Sequence, residues 1–375
     1  MKTVNRVAQF IIYAAVLLLS VLFLYIGNKV ATGGVAFFDE YTQTVEAVVI
    51  NIADASHDEY EMGGAAQYTK EIIFEAETVN GGREVITATQ SLDSYSDYNL
   101  KEVEKGDRII LMLTNDEWHF YEYARINGIL ILGGAFIVSM IFFGRVKGIN
   151  AILSLCLTCV AIFAVFIPSL LSGRNIYVSA IVVCVYSIVV TLFIVIGINR
   201  KSVAAIAGCF GGVISVALLT VLMTKTLMLT GMLDSESLHL LYLRADSTID
   251  LRAIIFAGII IGAVGAVMDV AMSISSALWE LKSQAAGLKF AEIFKSGVNI
   301  GKDIMGTMAN TLVLAYIGNS LTIILLLVTY SNSFAELMNR ELIVVELLRA
   351  IVGSFGILLT MPLTALICAF LYSRK

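Results

Sequence analysis

Long apolar runs separated by short polar connections make up most of this chain. The first run, Val7–Ile26, follows Lys2 and Arg6 and predicts a membrane anchor over residues 1–26. Seven further runs have about the 20 residues that a helix needs to cross the hydrocarbon, and they are Ile126–Phe143, Ile149–Leu171, Ile176–Ile198, Val203–Met223, Ala253–Leu278, Thr307–Tyr330 and Arg349–Tyr372. The pattern predicts an α-helical polytopic membrane protein with about eight transmembrane helices, seven of them in a bundle over residues 126–375.

Residues 41–123 have a different pattern, in which apolar and polar residues alternate over short stretches. Such alternation predicts strands, and it occurs at Thr44–Ile52, Thr69–Val79, Arg83–Gln90, Arg108–Thr114 and His119–Tyr123. Asn80-Gly81-Gly82 predicts a hairpin turn between the second and third strands, and Lys105-Gly106-Asp107 predicts a turn before the fourth. Five short strands in about 80 residues predict a small all-β domain, a barrel for which the OB-fold is a candidate topology.

Basic residues in the short connections predict the orientation of the chain. Those that fall on the same side as both termini are Arg145, Lys147, Arg200, Lys201, Lys282, Lys289, Lys295 and Lys302. The opposite connections interleave their basic residues with acids, so we expect both termini in the cytoplasm and the β domain outside it. No clear small-residue cleavage site follows the first run, which we therefore interpret as a retained anchor, with cleavage as the alternative.

Three connections are longer than turns. Residues 225–252 and 333–348 mix apolar and charged residues and are predicted to lie at the outer membrane interface, the second as an amphipathic helix. Residues 282–302 are basic and amphipathic and are predicted to form a cytoplasmic loop. The stretch Gly297–Asp303 resembles a phosphate-binding loop, but its spacing is one residue short and Asp303 stands where Ser or Thr is required. We therefore predict no nucleotide site.

Two of the predicted crossings, Ala253–Leu278 and Arg349–Tyr372, contain residues that we interpret as packing or pairing with other residues. Arg349 is expected either to snorkel towards the outer interface or to pair with Glu346. Gly258-x-x-x-Gly262 is interpreted first as a close-packing motif between helices. Neither feature by itself predicts a functional site.

The composition agrees with a membrane protein. Of the 375 residues, 58% are hydrophobic and 15% are charged, which is unlike an ordinary soluble domain. The net charge of −5 says little, because the acids are concentrated in one segment, but no basic tract points to nucleic acid as a partner. All five cysteines lie in apolar runs, and Cys156-x-x-Cys159 is interpreted as packing rather than redox or metal chemistry. The three histidines lack ligand spacing, so we predict neither a zinc site nor a cofactor.

Acidic residues are concentrated in the loops predicted within the β domain. They include Asp54, Asp58, Glu59, Glu61, Asp93 and Asp97. We interpret them as a solvated acidic surface, which disfavours nucleic-acid phosphate as a ligand of the barrel. A calcium site is the alternative interpretation, although no EF-hand spacing is present.

The run Gly262–Leu281 forms a membrane-length helix with one carboxylate, that of Asp269, deep inside it; Glu280 stands next to its end. An aspartate there costs about 2.5–3.5 kcal/mol on insertion scales, so a partner, a water-filled cavity or a proton must offset the cost. If Arg252 and Trp279 mark the two membrane boundaries, the helix spans about 40 Å and Asp269 lies about 25 Å from the outer one. The residues near its helical face are Gly262, Ser273, Ser276 and Glu280. The small residues are interpreted mainly as packing, and Asp269 as functional.

A second polar group opens the seventh of the eight predicted crossings. Asp303, Thr307 and Asn310 share one helical face, whereas Asn319 faces nearly the opposite way. Asparagine in a membrane helix usually hydrogen-bonds a neighbouring helix, and Asn310 is the first candidate partner for Asp269. The candidate transport or ion-coupling residues are therefore Asp269, Ser273, Ser276, Asn310, Asp303 and Asn319.

Two sequence blocks carry a resemblance to a known family. GAVGAVMDVAMSISSALWEL (Gly262–Leu281) and GKDIMGTMANTLVLAYIGNSL (Gly301–Leu321) resemble the two most recognisable blocks of the YibE/F family of bacterial multi-spanning membrane proteins. REVITATQSL followed by VEKGDRIIL resembles the β-rich N-terminal part of that family. Lys302 departs from the expected arginine, which keeps the charge but loses the planar fork. The resemblance implies a bacterial cell membrane and a transporter-like build, with no settled substrate and no established catalytic residues.

Two functions of different classes fit these observations. In the first, the bundle is a secondary transporter or permease for an unidentified small solute or ion, and Asp269 titrates or binds a cation during coupling. In the second, the chain is a membrane scaffold or export accessory whose β domain binds an extracytoplasmic protein, and Asp269 is structural. We do not expect an enzyme, because no membrane segment contains a nucleophile–base pair, an HExxH motif or a phosphate loop. Substrate, direction of transport and formation of a homo-oligomer stay open.

Overall fold

The chain forms two compact units in a computed structural model. One unit is Ala36–Met140, and the other combines Met1–Val35 with Ile141–Lys375. The structure describes residues 2–32, 43–62, 65–79, 82–93, 101–233, 235–242, 249–285 and 287–373. The first unit contains the β domain, and the second is helical.

Five strands form the β domain: Thr44–Met62 (β1), Ala65–Thr78 (β2), Val85–Asp93 (β3), Arg108–Thr114 (β4) and Glu117–Tyr123 (β5). They close into a barrel in the order β1-β2-β3-β5-β4, in which β3 and β5 pair in parallel and all other pairs are antiparallel. The barrel core includes the fully buried Phe74, Ile109 and Leu111. The prediction of a small five-stranded barrel is confirmed, because alternating side chains point to opposite faces of a strand.

The β1–β2 hairpin is longer than the sequence pattern predicted. Its pairing continues to Met62 and Ala65, and β1 is exposed from residue 51 to residue 59. Three acids predicted to lie in a loop are therefore exposed residues of β1: Asp54, Asp58 and Glu59. Alternation could not signal this part of the strand, because neither of its faces is buried. Asp97 and the side chain of Glu61 lie outside the described residues.

Both predicted turns of the barrel can be compared with the structure. Gly106 has a φ of +95°, which glycine adopts without strain, and its N–H donates to the carbonyl of Val49 at 2.8 Å. The turn at residues 105–107 is therefore confirmed. The N–H of Thr78 donates to the carbonyl of Glu84 at 3.0 Å and joins β2 to β3. Of the predicted Asn80-Gly81-Gly82 turn, the first two residues lie outside the described part of the chain.

The rest of the described chain is helical. The helices are Lys2–Thr32 (α1), Ile126–Ala161 (α2), Ile167–Leu171 (α3), Ile176–Ile196 (α4), Arg200–Thr226 (α5), Ser235–Tyr242 (α6), Leu251–Gln284 (α7), Phe290–Asn319 (α8), Leu321–Tyr330 (α9), Phe334–Asn339 (α10) and Glu341–Ser373 (α11), with a π-helical turn at Ile162–Phe166. Among the described residues, six helical segments are long and apolar enough to cross a membrane, and α8 with α9 adds a seventh if the bent pair is one span. The predicted helical, membrane-type architecture is confirmed at this level.

The predicted second and third crossings lie on one helical segment. Ile126–Leu171 is continuous over 46 residues, which at about 1.5 Å per residue is more than twice the thickness of the hydrocarbon. Arg145, between the two predicted runs, has φ 49° and ψ −129° and interrupts the helical geometry. A total of eight crossings stays a prediction, and it requires the chain to turn near Arg145.

Residues 282–302 do not form the predicted loop. α7 continues to Gln284 and α8 already begins at Phe290, so most of this segment is helical. Lysines lowered the apparent hydrophobicity of the segment, but Ile293, Gly297 and Gly301 are buried and hold α8 against the bundle. The predicted seventh crossing is also broken, because α8 and α9 meet at an angle of 63°.

The two predicted interfacial segments are divided between several helices. Residues 333–348 include α10 and the first two turns of α11, so they are not one separate helix. Ile343, Val345 and Leu348 are buried and extend the apolar face of α11 towards its N-terminus, which explains the continuity. Residues 225–252 contain the last residues of α5, the short α6 and the start of α7, with 234 and 243–248 outside the described residues.

Close helix packing in the bundle depends on small residues. α7 contacts α4, α5, α8 and α11. A Cβ added at Gly212 of α5 would collide with Thr360 of α11, and a Cβ at Gly301 of α8 would collide with Met361. Such close approach is how membrane helices gain packing energy, since lipid is as apolar as their side chains. α7 thus lies at the centre of the packed helices.

Candidate functional site

One face of α7 is apolar and buried, and the opposite face is small or polar. The side chain of Asp250 caps the helix by accepting hydrogen bonds from the N–H groups of Arg252 and Ala253. We call the second face the open face; it consists of the exposed Gly258, Gly262, Gly265, Asp269 and Glu280 and the half-buried Ser273 and Ser276. The arrangement of Asp269 and the two serines on one face agrees with the spacing in the sequence.

Asp269 projects from the open face without a partner in the described chain. No hydrogen bond or ion pair joins its carboxylate to a described residue. A Cβ added at Gly265, one turn closer to the N-terminus of α7, would have nothing within 4 Å. The neighbouring Val267 and Val270 are fully buried, so the helix itself is firmly packed. The carboxylate therefore lies beside space that the described chain does not fill.

Side chains from α8 and α11 cover the N-terminal part of the open face. The hydroxyl of Tyr316 on α8 lies against Gly262 so closely that a Cβ there would collide with it. Nη2 of Arg349 on α11 is 3.8 Å from the position that a Cβ on Gly258 would take. Gly258 and Gly262 are thus the two positions where α7 admits polar groups from its neighbours.

Arg349 is paired with Glu346, one of the two alternatives predicted from the sequence. Its Nη1 donates to Oε1 of Glu346 at 2.6 Å, and both side chains are largely buried. We call Tyr316, Glu346 and Arg349 the polar cluster. The hydroxyl of Tyr316, Oε2 of Glu346 and Nε of Arg349 are buried and have no hydrogen-bond partner within the described residues. Buried polar atoms normally find partners, so this cluster has unused capacity for a polar ligand or water.

α7 and α8 also meet at the far end of the open face. A Cβ at Gly297 of α8 would collide with Leu278 of α7 as well as with Ala365 of α11. This contact and the Tyr316–Gly262 contact fix how far α7 and α8 are shifted along each other. Interpolation between the two contacts places Asp269 and Asn310 at the same height along the helix axes, to within about 3 Å. The open face between the two contacts therefore includes Asp269.

Asn310 does not form the expected pair with Asp269. No hydrogen bond joins them, although both residues are described, and Asn310 is exposed. It lies six residues before Tyr316, which rotates it about 120° away from the side of α8 that contacts α7. The two residues share a height along the bundle but face different directions.

The remaining predicted residues lie on or near α8. Asp303, Thr307 and Asn310 form an exposed row that we call the α8 polar stripe, which agrees with their predicted shared face. The hydroxyl of Thr307 donates to the carbonyl of Ile304 at 2.9 Å and is satisfied within its own helix. Asn319 ends α8 beside the 63° bend and is exposed. These residues do not converge on Asp269.

Tyr316 is the residue of this site that the sequence interpretation missed. A single tyrosine in an apolar run is usually an interfacial residue, and its spacing gives no sign of a glycine on another helix. One indication was available in the sequence. Tyr316 lies six residues after Asn310 and is therefore rotated about 120° from it around the helix, away from the α8 polar stripe. Only the packing of α8 on α7 reveals its contact with Gly262.

The described residues contain no group of three or more His, Cys, Asp or Glu placed to hold a metal ion. Cys156 and Cys159 are exposed thiols, whereas Cys184, Cys209 and Cys368 are buried in the bundle. The open face and the polar cluster are the polar features that lie on or against the central helix α7.

Comparison with known proteins identifies a family that this chain matches. The profile of a family described as YibE/F-like protein matches residues 132–374, which is well over half of the 375 residues. The matched range includes α7, α8 and α11 and begins after the β domain. Neither the curated proteins nor the solved structures contain a match to this chain.

Proposed function

Since this chain belongs to the YibE/F-like family, and is a multi-pass membrane protein by its apolar helices, we propose that it is a secondary transporter or permease whose coupling charge is Asp269. The observation that carries this proposal is an unpaired carboxylate on the open face of a central helix whose opposite face is buried. A structural aspartate in a membrane helix would be expected to have a partner, because an isolated one costs about 2.5–3.5 kcal/mol.

The polar groups beside Asp269 support a path for a solute or ion. The polar cluster lies against Gly258 and Gly262, and Asp269 follows about 10 Å further along α7. Hydrated polar groups at membrane depth commonly mark such paths. In our proposal, the polar cluster receives the solute or its water near one end of the path, and Asp269 binds or releases the coupling cation in the middle. The transported solute is small or ionic, and no catalytic step is assigned.

The test compares Asp269→Asn with the wild type in proteoliposomes that contain an internal pH dye. The variant keeps the size and most hydrogen bonds of the side chain but removes its charge. We expect wild-type vesicles to couple the flux of candidate solutes to a proton or sodium gradient, and Asp269→Asn to lose that coupling while melting at about the same temperature. Asp303→Asn, an exposed carboxylate on α8, is the matched control and should stay coupled. Identical flux in wild type and Asp269→Asn under both gradients would refute the coupling role.

One observation favours the second candidate function, a scaffold that binds a protein outside the cytoplasm. The β1–β2 hairpin exposes a row of acids on β1, which would suit a basic partner surface. If this candidate is correct, replacing Asp54, Asp58 and Glu59 by their amides should abolish capture of the partner from native membranes. Glu71→Gln, an exposed acid of β2, should not. Loss of capture in both would point to a general charge effect instead.

The orientation of the chain also belongs to this proposal. We place the protein in the bacterial cell membrane, with both termini in the cytoplasm and the β domain outside, because the basic residues of the short connections favour that arrangement. The solute or ion would then reach the polar cluster from outside and Asp269 from either side in turn. The lipid bilayer is the one partner that every version of the proposal requires.

A further inference from the structure

The α8 polar stripe is exposed on a helix of the membrane bundle, on a side that neither α7 nor α11 covers. Asp303, Thr307 and Asn310 lie there together with Gly306 and the apolar Leu314. No hydrogen bond or ion pair joins Asp303 or the side chain of Asn310 to a described residue. Polar side chains at membrane depth are costly when they face lipid. We propose that the α8 polar stripe is a dimer interface and that its occupant is α8 of a second copy of this chain.

The chemistry of the stripe is complementary to itself. An asparagine amide both donates and accepts, so two Asn310 side chains can hydrogen-bond each other across a two-fold axis. Copies of a membrane protein with the same orientation pair their helices in parallel about an axis along the membrane normal, which brings identical residues to the same depth. Asn310 would therefore meet Asn310, and Lys302 of one copy would reach Asp303 of the other.

The exposed faces of α1 and α5 offer no equivalent chemistry. The exposed side chains of α1 include Leu18, Val21 and Leu22, and those of α5 include Ile214, Leu218 and Leu222. Such faces suit lipid and leave an asparagine or aspartate unsatisfied. Complementarity to the stripe is thus found in α8 itself, which is why a second copy fits better than another apolar helix.

An apolar groove next to the stripe adds packing surface. It lies between α8 and α11, has a volume of about 320 Å³ and is lined by Met305, Gly306, Ala309, Val313, Phe355 and Leu358 among others. Gly306 has nothing within 4 Å of the position that a Cβ would take, so a partner side chain can approach the backbone there. Small residues at the contact let two membrane helices come close. The stripe would then provide specificity and the groove would provide van der Waals contact.

Cross-linking of single cysteines in native membranes tests the interface directly. On a background without the native cysteines, Asp303→Cys, Thr307→Cys, Asn310→Cys and Leu314→Cys should form disulfide-linked dimers on oxidation. A disulfide requires Cα atoms within about 7 Å, so positions that face α11, such as Leu312, should not cross-link. A repeat of three and four residues in the cross-linked positions supports the α8 pair. If none of the four stripe positions forms a disulfide-linked dimer on oxidation, the proposed interface is wrong.

Measurement of the oligomeric state in lipid nanodiscs provides the second test. The wild type should be dimeric, and Asn310→Leu should weaken the dimer by about 3- to 30-fold in dissociation constant, the usual range for one interhelical polar contact. Asn310→Gln keeps the amide and should restore much of the affinity. Asn319→Leu is the matched control, since it removes an exposed asparagine from the same helix but on the opposite side. A monomeric wild type, or equal weakening by both leucine variants with unchanged melting temperatures, would overturn the proposal.

This dimer does not depend on transport. Loss of the dimer in Asn310→Leu with intact coupled flux would leave Asp269 in its proposed role. Conversely, an uncoupled Asp269→Asn that still cross-links through Asn310→Cys would support both proposals. The two results are therefore separable in the same membranes.

Discussion

The guanidinium of Arg349 donates a 2.6 Å hydrogen bond to the carboxylate of Glu346, three residues earlier on α11. Their side chains are 23% and 14% exposed, and each keeps one buried polar atom without a partner in the described chain. The pair lies beside Gly258 of α7 and shares the polar cluster with Tyr316. A pair in this environment is costly to break from one side, because the remaining charge stays buried.

We therefore expect Arg349→Met to destabilise the protein by about 3–5 kcal/mol, the usual cost of leaving one buried charge alone. The double variant with Glu346→Gln should be more stable than Arg349→Met, because it removes the orphaned charge. Thermal melts in detergent of the two single variants and the double variant measure this coupling. Arg340→Met breaks an exposed pair with Glu336 at 2.7 Å and should cost no more than about 1 kcal/mol. Equal losses at the two sites would contradict the burial of the polar cluster.

Gly262→Ala should destabilise the bundle by about 1–3 kcal/mol, the usual effect of overpacking. A Cβ at this position would collide with the hydroxyl of Tyr316. Tyr316→Phe removes that oxygen, so Gly262→Ala should cost less on the Tyr316→Phe background. Gly265→Ala is the matched control on the same face, because an added Cβ there has open space. The measurement is the melting temperature of the wild type and of these four variants, and a cost at Gly262 that Tyr316→Phe leaves unchanged would argue against the contact.

Residues 41–123 expressed alone should fold into a soluble domain with β-type circular dichroism and a cooperative melt. The barrel is closed and has its own buried core. Phe74→Ala should cost about 3–5 kcal/mol, since Phe74 is fully buried in that core. Val85→Ala changes a side chain that is 61% exposed and should stay within about 0.5 kcal/mol of the wild type. A disordered spectrum of the wild-type segment would show that the barrel needs the rest of the chain.

The barrel should lose stability at alkaline pH. Burial raises the pKa of Tyr123 above its ordinary value of 10.0, and its hydroxyl donates to the carbonyl of Lys101 at 2.6 Å. A hydrogen bond to Asp107 likewise raises the pKa of Lys101 above 10.5. Both groups hold their protons more tightly in the folded state. Their contribution to the free energy of unfolding is therefore complete below the pKa of the unfolded state and is lost as the pH rises through the pKa of the folded state. Urea melts of Tyr123→Phe should therefore depend less on pH above about pH 10 than those of the wild type.

The predicted orientation can be measured by labelling single cysteines with a membrane-impermeant maleimide. Glu104→Cys, an exposed position of the β domain, should react in intact cells. Ser283→Cys, near the end of α7, should react only after permeabilisation, because its neighbouring lysines favour the cytoplasmic side. The opposite result would invert the orientation of the whole chain.

The sequence determined those features that depend on one element alone. Run length predicted the membrane helices, and alternation predicted the barrel strands, because burial of each element imposes its own period on the residues. Spacing also placed Asp269, Ser273 and Ser276 on one face of α7, as the structure has them. A helical face can be found without knowledge of the neighbours, since the geometry of a helix fixes it.

Relationships between elements were decided by the tertiary structure. Asn310 and Asp269 share a height but not a direction, because the rotation of α8 about its axis is set by the packing of Gly297, Gly301 and Tyr316 on its neighbours. The hydroxyl of Tyr316 contacts α7 for the same reason, and the periodicity of α8 contains no information about Gly262 on the facing helix. The alternation of apolar and polar residues also did not predict the extension of β1 to Met62, because a hairpin that is exposed on both faces has no buried side to impose alternation. Burial determines which residues belong to a face, whereas packing against the neighbours determines what that face meets.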